Sequence, residues 1–162
     1  VVEGSVERLE DDYRRRNDGP LKVLDGFEEK TALVKFHPGF QPKLVDWFVD
    51  DGYKGLILEG TGLGHVSTGL FDVVERAIGA GLYLGMTSQC IWGRLDMDVY
   101  TTGRELQRLG VEPLGDMLPE TAYVKLMWAL ANSEDLEEAK ALMRENIAGE
   151  YSDRSLYTGR FG

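Results

Sequence analysis

A chain of 162 residues with 43% apolar and 10% aromatic content can bury one hydrophobic core, which excludes a disordered or fibrous chain. Its 18 basic against 28 acidic residues leave a net charge of −10, arguing against a basic face that tracks a phosphate backbone within this segment. The single cysteine, Cys90, excludes an intrachain disulfide and points to a reducing, cytosolic setting. No run approaches the ~20 apolar residues that a membrane span needs, so no membrane contact is expected. The amino terminus has neither a charged leader nor an apolar core, and it lacks an initiator methionine. Those features predict a fragment or a processed piece.

Residues 1–30 are charged and mixed in sign, with Arg14, Arg15 and Arg16 ahead of the breaker Asn17-Asp18-Gly19-Pro20. They predict a linker arm in which Glu10, Asp11 and Asp12 pair locally with the arginines. From Thr31 the texture changes. Residues 31–37, 55–58 and 82–86 are short apolar runs of strand length, and 111–114 predicts a short fourth strand. Between them, 42–50 has helical period with Leu44, Val45, Phe48 and Val49 on one face, and 70–78 has it with Leu70, Val73, Val74 and Ala77. A short helix over 100–109 closes at Gly110, and Pro119 opens another that runs to Ala131. Asn132 or Ser133 is the expected cap of a last helix over 134–145, whose early acids and late Arg144 suit the helix dipole.

Strand and helix therefore alternate. The pattern predicts an α/β domain over 31–154, a small parallel sheet flanked by helices (Rossmann- or flavodoxin-like) with right-handed crossovers, followed by a tail over 155–162. Ligands are expected beyond the carboxyl ends of the strands, at His37-Pro38-Gly39, at 59–65 and at Thr87-Ser88-Gln89.

The richest of these edges is Glu59-Gly60-Thr61-Gly62-Leu63-Gly64-His65-Val66-Ser67. Alternate glycines let the backbone turn tightly and bring N–H groups toward a ligand, and the following helix start favours a carboxylate or phosphate. A dinucleotide fingerprint needs its third glycine where His65 stands, and an acid where Met86-Thr87-Ser88 stands; a phosphate loop needs a following Gly-Lys-Ser/Thr. Neither requirement is met. The polar groups Glu59, Thr61, His65 and Ser67 instead suit the orientation of a small polar substrate, and the bland alternative is a compact strand-to-helix turn.

Other candidates are weaker. His37 and His65 are too far apart for a local metal motif, and no Cys/His cluster suggests zinc, so no metal is expected. No Gly-x-Ser-x-Gly elbow supports Ser67 or Ser88 as the nucleophile of a serine triad. Cys90 reads more readily as a small buried residue than as a nucleophile. Leu126, Met127, Trp128 and Leu130 read as packing, and the acids over 134–138 as a solvated first helical turn.

Assembled in order, several motifs carry a resemblance. They are Lys35-Phe36-His37-Pro38-Gly39, the stretch 55–66, Met86-Thr87-Ser88-Gln89-Cys90 with Gly93-Arg94, and Val99-Tyr100 with Thr102-Gly103-Arg104. The stretch 115–128 and the tail Gly149-Glu150 with Ser152 and Arg154 complete them. Over about 31–154 the chain resembles the carboxy-terminal domain of the asparaginase family, most nearly its branch of archaeal glutamyl-tRNA(Gln) amidotransferase D subunits. The resemblance implies an asparaginase-like fold. It also implies catalytic threonines, an aspartate and a lysine in an amino-terminal domain whose Gly-Gly-Thr and Gly-Thr-Asp motifs this sequence does not contain, so no catalytic residue is expected in this segment.

Further implications concern partners. The resemblance implies a homodimer in which this domain lends a polar loop residue to its neighbour's pocket, and His65 stands at what that residue's position would be, with Glu59 and Thr61 beside it. It implies hydrolysis of glutamine or asparagine through a threonine acyl-enzyme, and delivery of ammonia to an E subunit that uses ATP and carries most of the tRNA contact. No cofactor is then expected in this chain. A cytosolic L-asparaginase and a non-catalytic ligand-binding α/β module remain the alternatives.

Overall fold

The computed structural model describes residues 20–152; the arginine cluster at 14–16, the first part of the linker arm and the tail over 155–162 lie outside the described residues. Four strands, β1 (Thr31–Lys35), β2 (Gly55–Gly60), β3 (Tyr83–Ser88) and β4 (Glu112–Pro113), form one sheet in the order β1-β2-β3-β4. All three pairings are parallel, and the register sets Lys35 opposite Glu59 and Glu59 opposite Thr87.

The strands are joined by α1 (Lys43–Asp50), by a 3-10 turn (Thr68–Leu70) leading into α2 (Phe71–Gly79), and by α3 (Thr101–Leu109); α4 (Pro119–Ala131) and α5 (Leu136–Arg144) follow β4. A sheet that adds each parallel strand beside the last, with crossovers of one hand, stacks its connecting helices on one face. Val45 and Phe48 of α1, Val73, Val74 and Ala77 of α2 and Leu106 of α3 accordingly pack with Leu56, Leu58, Leu84 and Met86. Because strand side chains alternate, Ile57 and Tyr83 point the other way, onto Ala122, Leu126 and Ala129 of α4 and Met143 of α5. Both faces are thus covered. That is why the strands read as unbroken apolar runs, with Leu56, Ile57 and Leu58 all fully buried.

Several details differ from expectation. Leu44 is 38% exposed beside Trp47, so the buried stripe of α1 is carried by Val45 and Phe48 and, partly buried, Val49. β1 ends at Lys35 rather than His37, and the Phe36 N–H makes the last ladder bond to β2, to the Glu59 carbonyl at 3.0 Å. The cap of α5 is neither Asn132 nor Ser133 but Asp135, whose carboxylate accepts from the Glu138 N–H at 2.9 Å. Glu138 reaches back to the Glu134 N–H, and this mutual arrangement delays the helix start to Leu136. β4 is only two residues long; Pro113 is tolerated there because its ring nitrogen faces away from β3, and the Leu114 N–H adds a last bond to the Met86 carbonyl at 3.0 Å. Residues 20–30 have no regular structure but lie along α4: Trp128 Nε1 donates to the Leu24 carbonyl at 3.0 Å, Asn132 Nδ2 to the Gly26 carbonyl at 3.0 Å, and the Glu28 N–H to the Met127 carbonyl at 2.9 Å.

Candidate functional site

The carboxyl ends of the strands carry most of the polar groups singled out above. Glu59 shares a sheet face with its register partners Lys35 and Thr87, the face that carries Ile57 and α4. Its carboxylate lies 3.6 Å from Lys35 Nζ and is 13% exposed, whereas the lysine is 60% exposed. A pair so open on one side contributes at most about 1 kcal/mol, so Glu59 is a carboxylate at the sheet edge rather than a locked structural ion. Thr87 is fully buried, and its hydroxyl has no hydrogen-bond partner among the described residues.

Beyond Gly60 the chain closes on itself. The Thr61 N–H donates to the His65 carbonyl at 2.8 Å, and the N–H groups of His65 and Gly64 return to the Thr61 carbonyl at 2.9 and 3.1 Å. Thr61 Oγ1 adds a bond to the same His65 carbonyl at 3.1 Å. Gly64 permits this: its φ is +99°, and a Cβ there would come within 2.6 Å of Leu95 Cδ2. The N–H groups of Thr61, Gly64 and His65 are therefore spent inside the turn. Ser67 Oγ is likewise used locally, accepting from the Gly69 N–H at 3.3 Å at the head of the 3-10 turn.

His65 turns toward α3. Its Nδ1 lies 3.3 Å from Thr102 Oγ1, its ring meets Tyr100 edge-on with centroids 5.1 Å apart, and Nε2 is buried with no partner among the described residues. The Thr102-Gly103-Arg104 motif is the other half of this arrangement. A Cβ on Gly103 would sit 2.3 Å from the Met97 carbonyl oxygen, so only glycine lets the first turn of α3 press on that backbone. Arg104 Nη1 donates to the Asp98 carbonyl at 2.6 Å and the Val99 carbonyl at 3.3 Å. Thr61 and His65 are thus brought together through their backbones. Glu59 faces Lys35, and no hydrogen bond joins it to His65 among the described residues.

Two residues that sequence reasoning placed at the edge, without assigning them to the site, hold it together. Gln89 Nε2 donates to the Phe36 carbonyl at 2.6 Å and the Glu59 carbonyl at 2.9 Å, and the Gln89 N–H donates to the Gly60 carbonyl at 2.9 Å. Ser88 Oγ donates to the Gly62 carbonyl at 2.6 Å and accepts from the Cys90 N–H at 3.0 Å. The available signal was two polar residues ending an otherwise apolar strand. Cys90 itself is exposed, not buried, and is followed by the exposed Ile91 and Trp92. Neither Ser67 nor Ser88 meets a histidine, and no group of three or more potential metal ligands exists among the described residues. Two open apolar grooves, of about 510 and 560 Å³, lie elsewhere, and neither is lined by a residue of the 59–67 loop.

The family model for the Glutaminase/Asparaginase C-terminal domain matches residues 30–143. The chain belongs to that family. It is 53% identical over 148 residues to the D subunit of the glutamyl-tRNA(Gln) amidotransferase of Pyrococcus furiosus, covering 91% of this chain and 34% of that protein. It is 55% identical over 145 residues to the corresponding D subunit of Methanopyrus kandleri, covering 90% and 32%. Among solved structures, the thermostable L-asparaginase from Thermococcus kodakarensis superposes with a TM-score of 0.78 at 31% identity, covering 89% of this chain and 44% of that one. L-asparaginase I from Vibrio cholerae gives 0.76 at 26% identity, covering 85% and 42%. The chain spans about a third of the length of the amidotransferase proteins it matches.

In this asparaginase-type domain the remaining motifs tie down the segment 145–152, while Arg154 lies outside the described residues. Arg94 Nη2 donates to the Ser152 carbonyl at 2.7 Å, and Asp116 accepts from the Ser152 N–H at 2.8 Å and from its hydroxyl. Glu150 is buried against Lys125 of α4 and accepts the Ile147 and Ala148 N–H groups. Burial opposes its ionisation, but the Lys125 hydrogen bond and those N–H groups outweigh it and hold the carboxyl down at about 2. Among the described residues, no helix is long and apolar enough to cross a membrane.

Proposed function

We propose that this chain is the carboxy-terminal part of the asparaginase-like subunit of a tRNA-dependent amidotransferase, working in the cytoplasm. The complete protein hydrolyses the side-chain amide of glutamine, or of asparagine, through a threonine nucleophile outside these residues. The ammonia released passes to an E subunit that activates glutamate on mischarged tRNA(Gln) with ATP. ATP and most of the tRNA belong to that partner, in keeping with the net charge of −10 here. This segment binds no cofactor and supplies no nucleophile. It pairs with a second copy of the subunit and contributes the 59–65 loop, with Glu59, Thr61 and His65, to the amide pocket.

The observation that carries this reading is identity: 53 to 55% to the amidotransferase proteins against 31% and 26% to the two asparaginases. The Glu59 carboxylate at the strand ends, beside the exposed Lys35, supports an amino-acid substrate, whose ammonium and carboxylate groups need fixed opposite charges. The inward-turned imidazole supports a role for His65 in setting the loop's shape as well as its polarity.

The test uses the full-length protein with an E-type partner, ATP, glutamine and glutamyl-tRNA(Gln). Formation of glutaminyl-tRNA(Gln) that requires both proteins is the expected result. Hydrolysis of free asparagine with no gain from the partner and no tRNA amidation would instead assign the chain to a free-standing L-asparaginase.

A further inference from the structure

The glycine-rich loop is closed by its own backbone, but closure fixes a loop's shape and not its direction. We propose that Ser88 and Gln89 are positioning residues that set the attitude of the 59–65 loop toward the strand ends, an inference that rests on the substrate-side reading of that loop.

Gln89 acts at the root. Its side-chain amide donates to Phe36 after β1 and to Glu59 in β2, while its own N–H holds Gly60. The point where the chain leaves β2 is therefore tied to the ends of β1 and β3 together. Ser88 acts at the crown. Its hydroxyl donates to the Gly62 carbonyl at 2.6 Å and is itself oriented by the Cys90 N–H at 3.0 Å. Gly62 is exposed, so water could satisfy its carbonyl at little cost, and the hydroxyl is not needed to rescue a buried acceptor. What the bond adds is direction. The Asp96 N–H supplies a second, longer tether at 3.3 Å to the Leu63 carbonyl, so loss of Ser88 alone leaves the loop formed but free to tilt.

The nucleophile lies outside these residues, so a tilted loop should weaken substrate capture more than the chemical step. In the full-length protein, Ser88→Ala, Ser88→Thr, Gln89→Met and the loop variant Thr61→Val are assayed for ammonia release across glutamine and asparagine concentrations. Hydrogen exchange of the peptide spanning 59–67 is followed in the same variants. Ser88→Ala is expected to raise KM roughly 2- to 10-fold with kcat nearly unchanged, the range one net hydrogen bond commands, and to speed exchange of the loop amides. Ser88→Thr, which keeps the hydroxyl, should restore both. Gln89→Met should raise KM as well as lower Tm, and a fall in Tm alone would remove Gln89 from the role. A wild-type KM in Ser88→Ala while Thr61→Val raises KM overturns the positioning role and leaves the function standing. Wild-type KM in both variants, whatever the exchange rate, removes the substrate-side reading and the positioning role together.

Discussion

Lys125 Nζ lies 2.5 Å from Glu150 Oε1, and both side chains are less than a tenth exposed, which makes theirs the most buried ion pair among the described residues. It fastens the segment after α5 to the middle of α4, and Lys125 also donates to the Glu145 carbonyl. Removing one partner leaves a buried charge with nothing opposite it. Lys125→Met should therefore cost about 3–5 kcal/mol in urea unfolding of the full-length protein. A loss below about 1 kcal/mol would mean that water reaches Glu150 in solution.

The same pair sets an acid limit. Glu150 titrates at about 2 in the folded chain against an ordinary 4.5, so its contribution is complete above about 4.5 and is lost as pH falls toward 2. Unfolding free energy measured from about pH 6 to about pH 2.5 should fall more steeply in the wild type than in Glu150→Gln. Parallel curves would show that other carboxylates govern the acid limb.

His65 and Thr102 form the second coupled pair, 3.3 Å apart. On the proposed function, His65→Ala in the full-length protein should lower kcat/KM roughly tenfold, about 1.4 kcal/mol, without abolishing turnover. Thr102→Val should move it the same way by a smaller factor, because it frees the ring rather than deleting it. Unchanged kcat/KM in His65→Ala would take that residue out of the site.

Gly103 is the described glycine least able to accept a side chain, since the added Cβ would sit 2.3 Å from the Met97 carbonyl oxygen, on a turn that Arg104 also holds. Gly103→Ala should destabilise by about 1–3 kcal/mol, the usual cost of overpacking, and should loosen the His65 contact with it. A thermal melt reads the first effect and hydrogen exchange over 97–104 the second. A Tm equal to that of the wild type would contradict this close approach.

Purified 1–162 should release no ammonia from glutamine or asparagine by itself. Activity should appear only when the remainder of the protein is supplied, and turnover by the isolated chain would place a nucleophile within it.

Much of this architecture was legible because its signals are local. Strand-length apolar runs, the period of α2 and Pro119 at the first position of α4 all report on neighbours within a turn or two. The glycines of the 60–64 segment announced a tight turn for the same reason. What stayed hidden depends on partners distant in sequence. Nothing near Lys125 says that it is buried, because its carboxylate arrives 25 residues later, and nothing near Gln89 reveals its acceptor 53 residues earlier. Asp135 is hard to single out as the cap because two other good capping residues precede it, and the reciprocal Glu138 decides among the three. Within the site, composition located the loop but did not show that the N–H groups of Thr61, Gly64 and His65 bond to carbonyls of the same turn.

The sequential strand order has a kinetic corollary. Each parallel neighbour is reached through one short crossover, so the sheet can grow a strand at a time from contacts of modest sequence separation. The bond from Gln89 to Phe36 cannot form until three strands stand side by side. It acts as a latch that closes after assembly, so stopped-flow measurements on Gln89→Met should find unfolding accelerated and folding nearly unaltered.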